Sequence, residues 1–456
     1  MKNRRLFTKI LSLALASLTL LSCTALFSCK GGDKNNKEDK TTDQTETPEK
    51  DAKYENYKLP VIEINTENGP IRSKVVSQKC SVNALNTSDE NVLEDQKGTV
   101  KGFGFSVWRL PKKTYVVSFN NAVNLLGVGS AKAKEWVLAA NAADFTMLRN
   151  HLAYTVAATV LDKIPYVTGS AFAQLYINGE YSGVYQVVER VQFDAARLDY
   201  KFEPGVNDTN YLVRLDFEAD VQIDSDAATN YFAISNKKYY IENKGMTQSQ
   251  LSYVSAAYNS MMSAIGTGNQ NQVESIVDID SLVDTYILHE YFKNSDVGYS
   301  GLYTVKEKGG KIVFTAPFDF YRSAGNDESI ANYSPEALFP GDGVTKYDGS
   351  NPIFYRLMRR KWFVDKVIAR WNEVKAELSK VPSMIDEFDA QFGADMEENA
   401  KAWGDIIGTK NDRQPPEVLE LETYDANVKY LKDWFEARYT WLDKFMNSSS
   451  VYSQLK

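Results

Sequence analysis

Hydrophobic patterning changes character along the chain. From Tyr57 to Phe119 the apolar residues sit in short β-branched and aromatic runs. Leu59-Pro60-Val61-Ile62-Glu63-Ile64 and Thr114-Tyr115-Val116-Val117-Ser118-Phe119 are bounded by Gly, Pro and Asn and read as strands. Between them Gly102-Phe103-Gly104-Phe105-Ser106-Val107-Trp108 reads as a glycine-bearing turn. After Asp144, read as an N-cap, Phe145, Leu148, Leu152, Val156 and Val160 recur at helical spacing to about Leu161. Ala171–Ile177 and Tyr185–Glu189 flank Asn178-Gly179-Glu180, a hairpin signal. Beyond Tyr200 the texture is mixed, then mainly helical. Leu282–Tyr291 reads as a helix, and Leu302–Val305 and Lys311–Phe314 bracket Gly309-Gly310 as a second hairpin. Asp425–Met446 is an amphipathic helix with Val428, Leu431, Phe435, Leu442 and Phe445 on or near one stripe, which is ordinary core packing.

The first residues do not belong to this pattern. Met1-Lys2-Asn3-Arg4-Arg5 is a basic start, and Ile10–Phe27 is mostly apolar, as in a secretory signal. Cys23 and Cys29 each end a stretch resembling a bacterial lipobox. Cys29 is favoured, because the chain turns fully polar directly after it. An uncleaved membrane anchor is the alternative. Both place the body outside the cytoplasmic membrane. In the segment 30–53, 13 of 24 residues are charged and none is aromatic or a large aliphatic, so it reads as a disordered tether. As a flexible coil it spans roughly 25–30 Å. The expected organisation is a lipoprotein signal at 1–29, the tether at 30–53 and a folded body at 54–456.

A body of this length can bury a large core, as one domain or two lobes. The net charge of −8 argues against nucleic acid as a partner. Only Cys80 follows the signal, so the body has no internal disulfide; it reads as a small buried residue. With His151 and His289 the only histidines, a zinc site is not expected. No G-x-S-x-G elbow and no G-x-x-x-x-G-K-[ST] loop is present.

Two acidic motifs stand out, Lys293-Asn294-Ser295-Asp296 and Pro317-Phe318-Asp319-Phe320-Tyr321, their aspartates 23 residues apart. Each plants a carboxylate beside apolar sequence, where it must be hydrogen-bonded, paired or bound to a cation. Two such groups suit phosphoryl transfer, one orienting a hydroxyl nucleophile and the other holding phosphate-bound Mg²⁺.

The wider sequence resembles the spore coat protein H (CotH) kinase family. The resemblance is carried by Gly102–Trp108 followed by Pro111-Lys112-Lys113-Thr114-Tyr115, and by Trp136–Asn141 with Asp144 and Leu148-Arg149-Asn150. Its most specific block is Leu175–Tyr185 with Val188-Glu189-Arg190; the two acidic motifs and Gly325-Asn326 complete it, from about Leu59 to Trp441. The resemblance implies an α+β, atypical protein-kinase-like fold of two lobes. The first is β-rich, the second mainly helical, and they divide near residues 190–200. It implies ATP and Mg²⁺, or Mn²⁺, bound between them. By position Asp319 takes the metal, Asp296 is catalytic, and Lys112 or Lys113 (Lys113 preferred) contacts phosphate. Glu189 and Arg149 belong to the nucleotide site, or else are structural ion pairs or surface charges.

The chain departs from the family pattern at Phe103 and Phe105, where the family has Arg and Asn, and at Tyr321. Ser300 and Gly301 stand where a kinase supplies an Asn metal ligand. Two functions follow. One is a lipid-anchored, extracytoplasmic kinase phosphorylating Ser or Thr of a cell-surface protein. The other is a non-catalytic binding or scaffold protein on the same fold.

Overall fold

Strand β1 (Val61–Thr66) pairs antiparallel with β2 (Gln78–Leu85) and parallel with β6 (Ser170–Ile177). Through β3 (Leu93–Gly102), β4 (Tyr115–Val123), β5 (Ala133–Ala139) and β7 (Glu180–Glu189), these pairings close a barrel in the order β1-β2-β3-β4-β5-β7-β6. This is a computed structural model, and it describes residues 51–104, 106–129, 131–217, 230–328, 333–340, 351–404 and 413–455. Cys23, Cys29, most of the tether and Phe105 lie outside the described residues. Glu49–Lys456 forms one unit.

The barrel interior is filled by side chains such as Ile62, Val82, Val117, Trp136 and Tyr185. Cys80 is buried among them as a free thiol. The β6–β7 hairpin turns at Asn178 and Gly179, with φ of 54° and 81°. Two successive positive φ values are what the expected Asn-Gly pair supplies, since their twist matches that of the strands.

The first long helix begins later than its sequence predicts. Helix α1 spans Leu148–Thr159, and its N-cap position is Met147, in left-handed conformation at φ 62°. Asp144 is therefore not the N-cap. Its carboxylate instead reaches forward to accept from Thr146 N (3.1 Å) and Arg149 N (3.0 Å), satisfying a first-turn N–H from three residues outside the helix.

A second sheet follows the barrel, built from β8 (Tyr211–Asp216), β9 (Tyr231–Ile234), β10 (Lys237–Ile241), β11 (Ser300–Lys306) and β12 (Ile312–Thr315). Their order is β12-β11-β8-β10-β9. The long helices of the C-terminal part are α2 (Gln248–Thr267), α3 (Ile279–Tyr291), α4 (Lys361–Leu378), α5 (Val381–Trp403) and α6 (Tyr424–Met446). The fold is thus α+β, with a β-rich N-terminal part built around a barrel and a mainly helical C-terminal part.

Helix α3 is buried on every face except at Asp280, so it must find partners for its own charges. Arg370 Nε meets Asp284 Oδ1 at 2.7 Å, and Arg438 Nη2 meets Glu290 Oε1 at 2.8 Å. Helix α6 buries the expected Val428, Leu431, Phe435, Leu442 and Phe445, and starts at Thr423, whose hydroxyl accepts from Ala426 N. Among the described residues, no helix is long and apolar enough to cross a membrane.

Candidate active site

The end of α3 and the end of β12 bring the two acidic motifs together. Asn294 caps a short 3₁₀ turn, Ser295–Gly298, that carries Asp296. Its Oδ1 accepts from Asp296 N at 2.9 Å and its Nδ2 donates to the carbonyl oxygen of Asp319 at 3.1 Å. One buried amide therefore bridges the backbones of both motifs.

Asp319 sits in the left-handed region at φ 66°. For a non-glycine residue this costs about 1 kcal/mol or more and persists only where surrounding contacts impose it. Those contacts are visible. Phe320 is fully buried, stacked on His289 at 4.9 Å and edge-on to Phe292 at 5.5 Å. Burying such a ring contributes roughly 2–3 kcal/mol. The Phe320 N–H donates to Asn150 Oδ1 at 2.6 Å. Gly301 is required nearby, because a Cβ there would lie 3.1 Å from Phe318 O and 3.4 Å from Asp319 Cβ, and its φ is 79°.

Asp319 and Asp296 are both half-buried, and their carboxyls perturb one another. Loss of water, and then repulsion from Asp296, pushes Asp319 up to about 8, against opposing pulls from Arg322, Arg214 and Arg413. Asp296 is also raised by burial, with Arg413 and Arg322 pulling it down and Asp327 raising it.

Asp319 lines a cavity of about 260 Å³ between barrel strands and the second sheet. Val137, Ala139, Val188, Tyr154, Tyr303 and Phe318 supply apolar wall. Lys74, Lys101, Arg190 and Arg214 supply positive charge, and Glu189, Asp216 and Glu242 negative charge. Arg214 is held between Asp216 (2.9 Å) and Glu242 (3.0 Å). Ser300, Gly301, Phe103 and Tyr321 also line the cavity; Phe103 lies under the Arg190 guanidinium at 5.1 Å.

The two lysines expected at phosphate are elsewhere. Lys112 is fully buried and does not line the cavity. Its Nζ donates to Val184 O at 2.5 Å and to Asn399 Oδ1 at 2.9 Å, and lies 4.7 Å from the centre of the Tyr185 ring. Burial pulls its pKa well below the usual lysine value. Lys113 donates to Trp108 O at 2.6 Å and lies over the Trp108 ring; it does not line the cavity either. The lysines that do are Lys74 and Lys101, which no motif singled out. Side-chain direction around a closing barrel decides this, and spacing in the sequence does not carry it.

Glu189 closes β7 and lines the cavity, but its carboxylate is engaged. It accepts from Gly169 N at 2.8 Å and Tyr166 OH at 3.1 Å, with Arg197 Nε at 3.7 Å. Burial raises its pKa, and those three groups oppose the rise. Arg149 lies outside the cavity, beneath the loop after Asp319. It pairs with Asp144 at 2.5 Å and donates to Ser323 O at 3.0 Å and Ala324 O at 3.3 Å. It is a structural ion pair that also shapes the Asp319 loop. His289 is buried and His151 half-buried against aromatic rings, and loss of water lowers their pKa values to about 3 and about 4.

Among the described residues, no group of three or more His, Cys, Asp or Glu could hold a metal ion. None of the curated proteins matches this chain. Against family models, the CotH kinase protein model matches residues 100–442, which takes in Phe103, Arg149, Glu189 and both aspartate motifs. That family implies an atypical kinase with ATP as its phosphoryl donor. With three quarters of the chain matched and the two acidic motifs bridged by Asn294, this protein belongs to the CotH kinase family.

Proposed function

We propose that this protein transfers the γ-phosphoryl group of ATP to a Ser or Thr hydroxyl. The observation that carries the reading is the Asp319–Asp296 pair. Both motifs are bridged by Asn294, and one carboxylate lines the cavity while the other perturbs it from beside. The cavity's apolar faces suit a base, and Lys101, Lys74 and Arg214 suit phosphates.

The donor set fits Mg²⁺. Two carboxylates that repel each other offer hard oxygen ligands, and too few to form a cage. Mg²⁺ is held in this way, by one or two carboxylates together with phosphate oxygens and water. Asp319 would hold it, and bound there it would neutralise charge on the phosphates. Asp296 orients the acceptor hydroxyl and takes its proton as the oxygen attacks the γ-phosphorus in line and ADP leaves. Burial raises the Asp296 pKa, which makes it a better base than a free aspartate.

The acceptor is proposed to be a protein at the cell surface. The domain is proposed to stand outside the cytoplasmic membrane, tethered by residues 30–53 to a lipid on Cys29, or alternatively on Cys23. A second reading, a binding or scaffold protein, is favoured by two observations. Phe103 and Arg190 form an aromatic–cationic wall where the family has a polar turn, and neither Lys112 nor Lys113 reaches the cavity.

Labelled ATP with Mg²⁺ or Mn²⁺ and the purified chain separates the two. Transfer that Asp296→Ala and Asp319→Ala abolish supports the kinase. No transfer, together with no thermal shift at millimolar ATP·Mg²⁺, favours the scaffold.

A further inference from the structure

The peptide unit between Asp319 and Phe320 is gripped at both ends by side-chain amides from different parts of the fold. Its carbonyl oxygen accepts from Asn294 Nδ2 at 3.1 Å, and its N–H donates to Asn150 Oδ1 at 2.6 Å. Asn294 follows α3, whereas Asn150 is on α1, and both are almost completely buried. Turning this peptide unit would change ψ of Asp319 and φ of Phe320 and break both bonds together, freeing the backbone that carries the Asp319 carboxylate.

Asn150 does not stand alone. Its Nδ2 donates to Asn141 Oδ1 at 2.8 Å, and Asn141 Nδ2 donates to Gln186 Oε1 at 2.9 Å. Gln186 Nε2 then donates to Ser170 Oγ at 3.0 Å, which also meets His151 Nδ1 at 3.0 Å. Every amide in this line points the same way, so each bond polarises the next. The line runs from β6 and β7 of the barrel to the Asp319 turn. Gln186 and Ser170 anchor the line on two adjacent, paired strands, which leaves the Asn150 oxygen a single orientation for its bond to Phe320 N. Asn150 also lines the cavity beside Asp319.

We infer that Asn150 is a positioning residue: through the Phe320 N–H it fixes the Asp319 carboxylate in the direction needed to hold the phosphate-bound cation. The inference rests on the phosphotransfer reading for the role of Asp319, but not for the grip itself. Outer partners of a metal-binding group typically change metal affinity 10- to 100-fold when removed. A residue that merely supports the fold would weaken nucleotide binding with and without metal alike.

The test uses the full chain, as wild type, Asn150→Ala and Asn150→Asp, the last keeping an oxygen for the Phe320 N–H. Amide hydrogen exchange is followed over residues 316–324, and thermal shifts are read with ATP plus EDTA and with ATP plus a Mn²⁺ titration. In wild type the Phe320 amide exchanges slowly, over hours. In Asn150→Ala it exchanges at least ten times faster, and the Mn²⁺ midpoint rises at least tenfold, well beyond any loss in the metal-free ATP shift. Asn150→Asp keeps the slow exchange. A Phe320 amide that exchanges within minutes in wild type overturns the grip even if Asn150→Ala fails to fold. An unchanged Mn²⁺ midpoint, or equal losses with and without metal, overturns the positioning role. Wild type with no Mn²⁺-dependent shift overturns the phosphotransfer reading, and the exchange arm then decides the grip by itself.

Discussion

Lys112 Nζ and Asn399 Oδ1, 287 positions apart in the chain, meet at 2.9 Å where helix α5 packs on the barrel. This contact makes Lys112 a fastener between the two parts of the fold. Lys112→Met removes a donor from Val184 O and from Asn399 Oδ1, which keeps the Val184 N–H at 3.0 Å, and is expected to cost about 1–3 kcal/mol. The ATP-induced thermal shift of the variant stays as in wild type, whereas Lys101→Ala weakens it. The folded pKa of Lys112 is depressed, so its contribution to stability falls as pH drops through that value and grows with pH up to the unfolded value, 10.5. Urea denaturation across the alkaline range checks this, with Lys112→Met flattening the slope.

Asp319 has the opposite sign. Its folded pKa, about 8, lies above its ordinary value of 3.8, so the folded protein holds a proton that the unfolded chain has lost. Without metal, its contribution to stability is full below about 4 and declines as pH rises to about 8. Asp319→Asn cannot lose that proton. In EDTA it should raise the urea midpoint at pH 8.5 and change it much less at pH 5. Equal gains at both values would show that the carboxyl is not perturbed.

Arg149 and Asp144 form a nearly solvent-free pair beneath the Asp319 loop. Removing one partner leaves a buried charge, so Arg149→Met is expected to cost about 3–5 kcal/mol. The double change Asp144→Asn with Arg149→Met should recover part of that loss in chemical denaturation. A fully additive double variant would mean that the two residues do not act as a pair.

Cys80 lies inside the barrel, where burial pushes its thiol up to about 11. A thiol reagent at pH 8 should leave it unmodified in the native protein and label it once urea unfolds the chain. Rapid labelling of native protein would show that the barrel opens.

Much of this protein can be read without its structure. The β-rich start, the Asn178-Gly179 hairpin, the buried helix ending near Tyr291 and the stripe of the last long helix each follow from local periodicity, which acts over a few residues. The two aspartates were legible because a carboxylate in apolar sequence needs a reason. Three features were not legible: the closing of the barrel by parallel β1–β6 pairing, the inward burial of Lys112, and the grip of Asn150 and Asn294 on one peptide bond. Each depends on groups tens to hundreds of residues apart. The sequence by itself determined which residue types carry charge, and where the turns must fall. Only tertiary packing decided which of those charges face the cavity and which are consumed holding the barrel to the helices, because strand closure and helix docking fix side-chain direction.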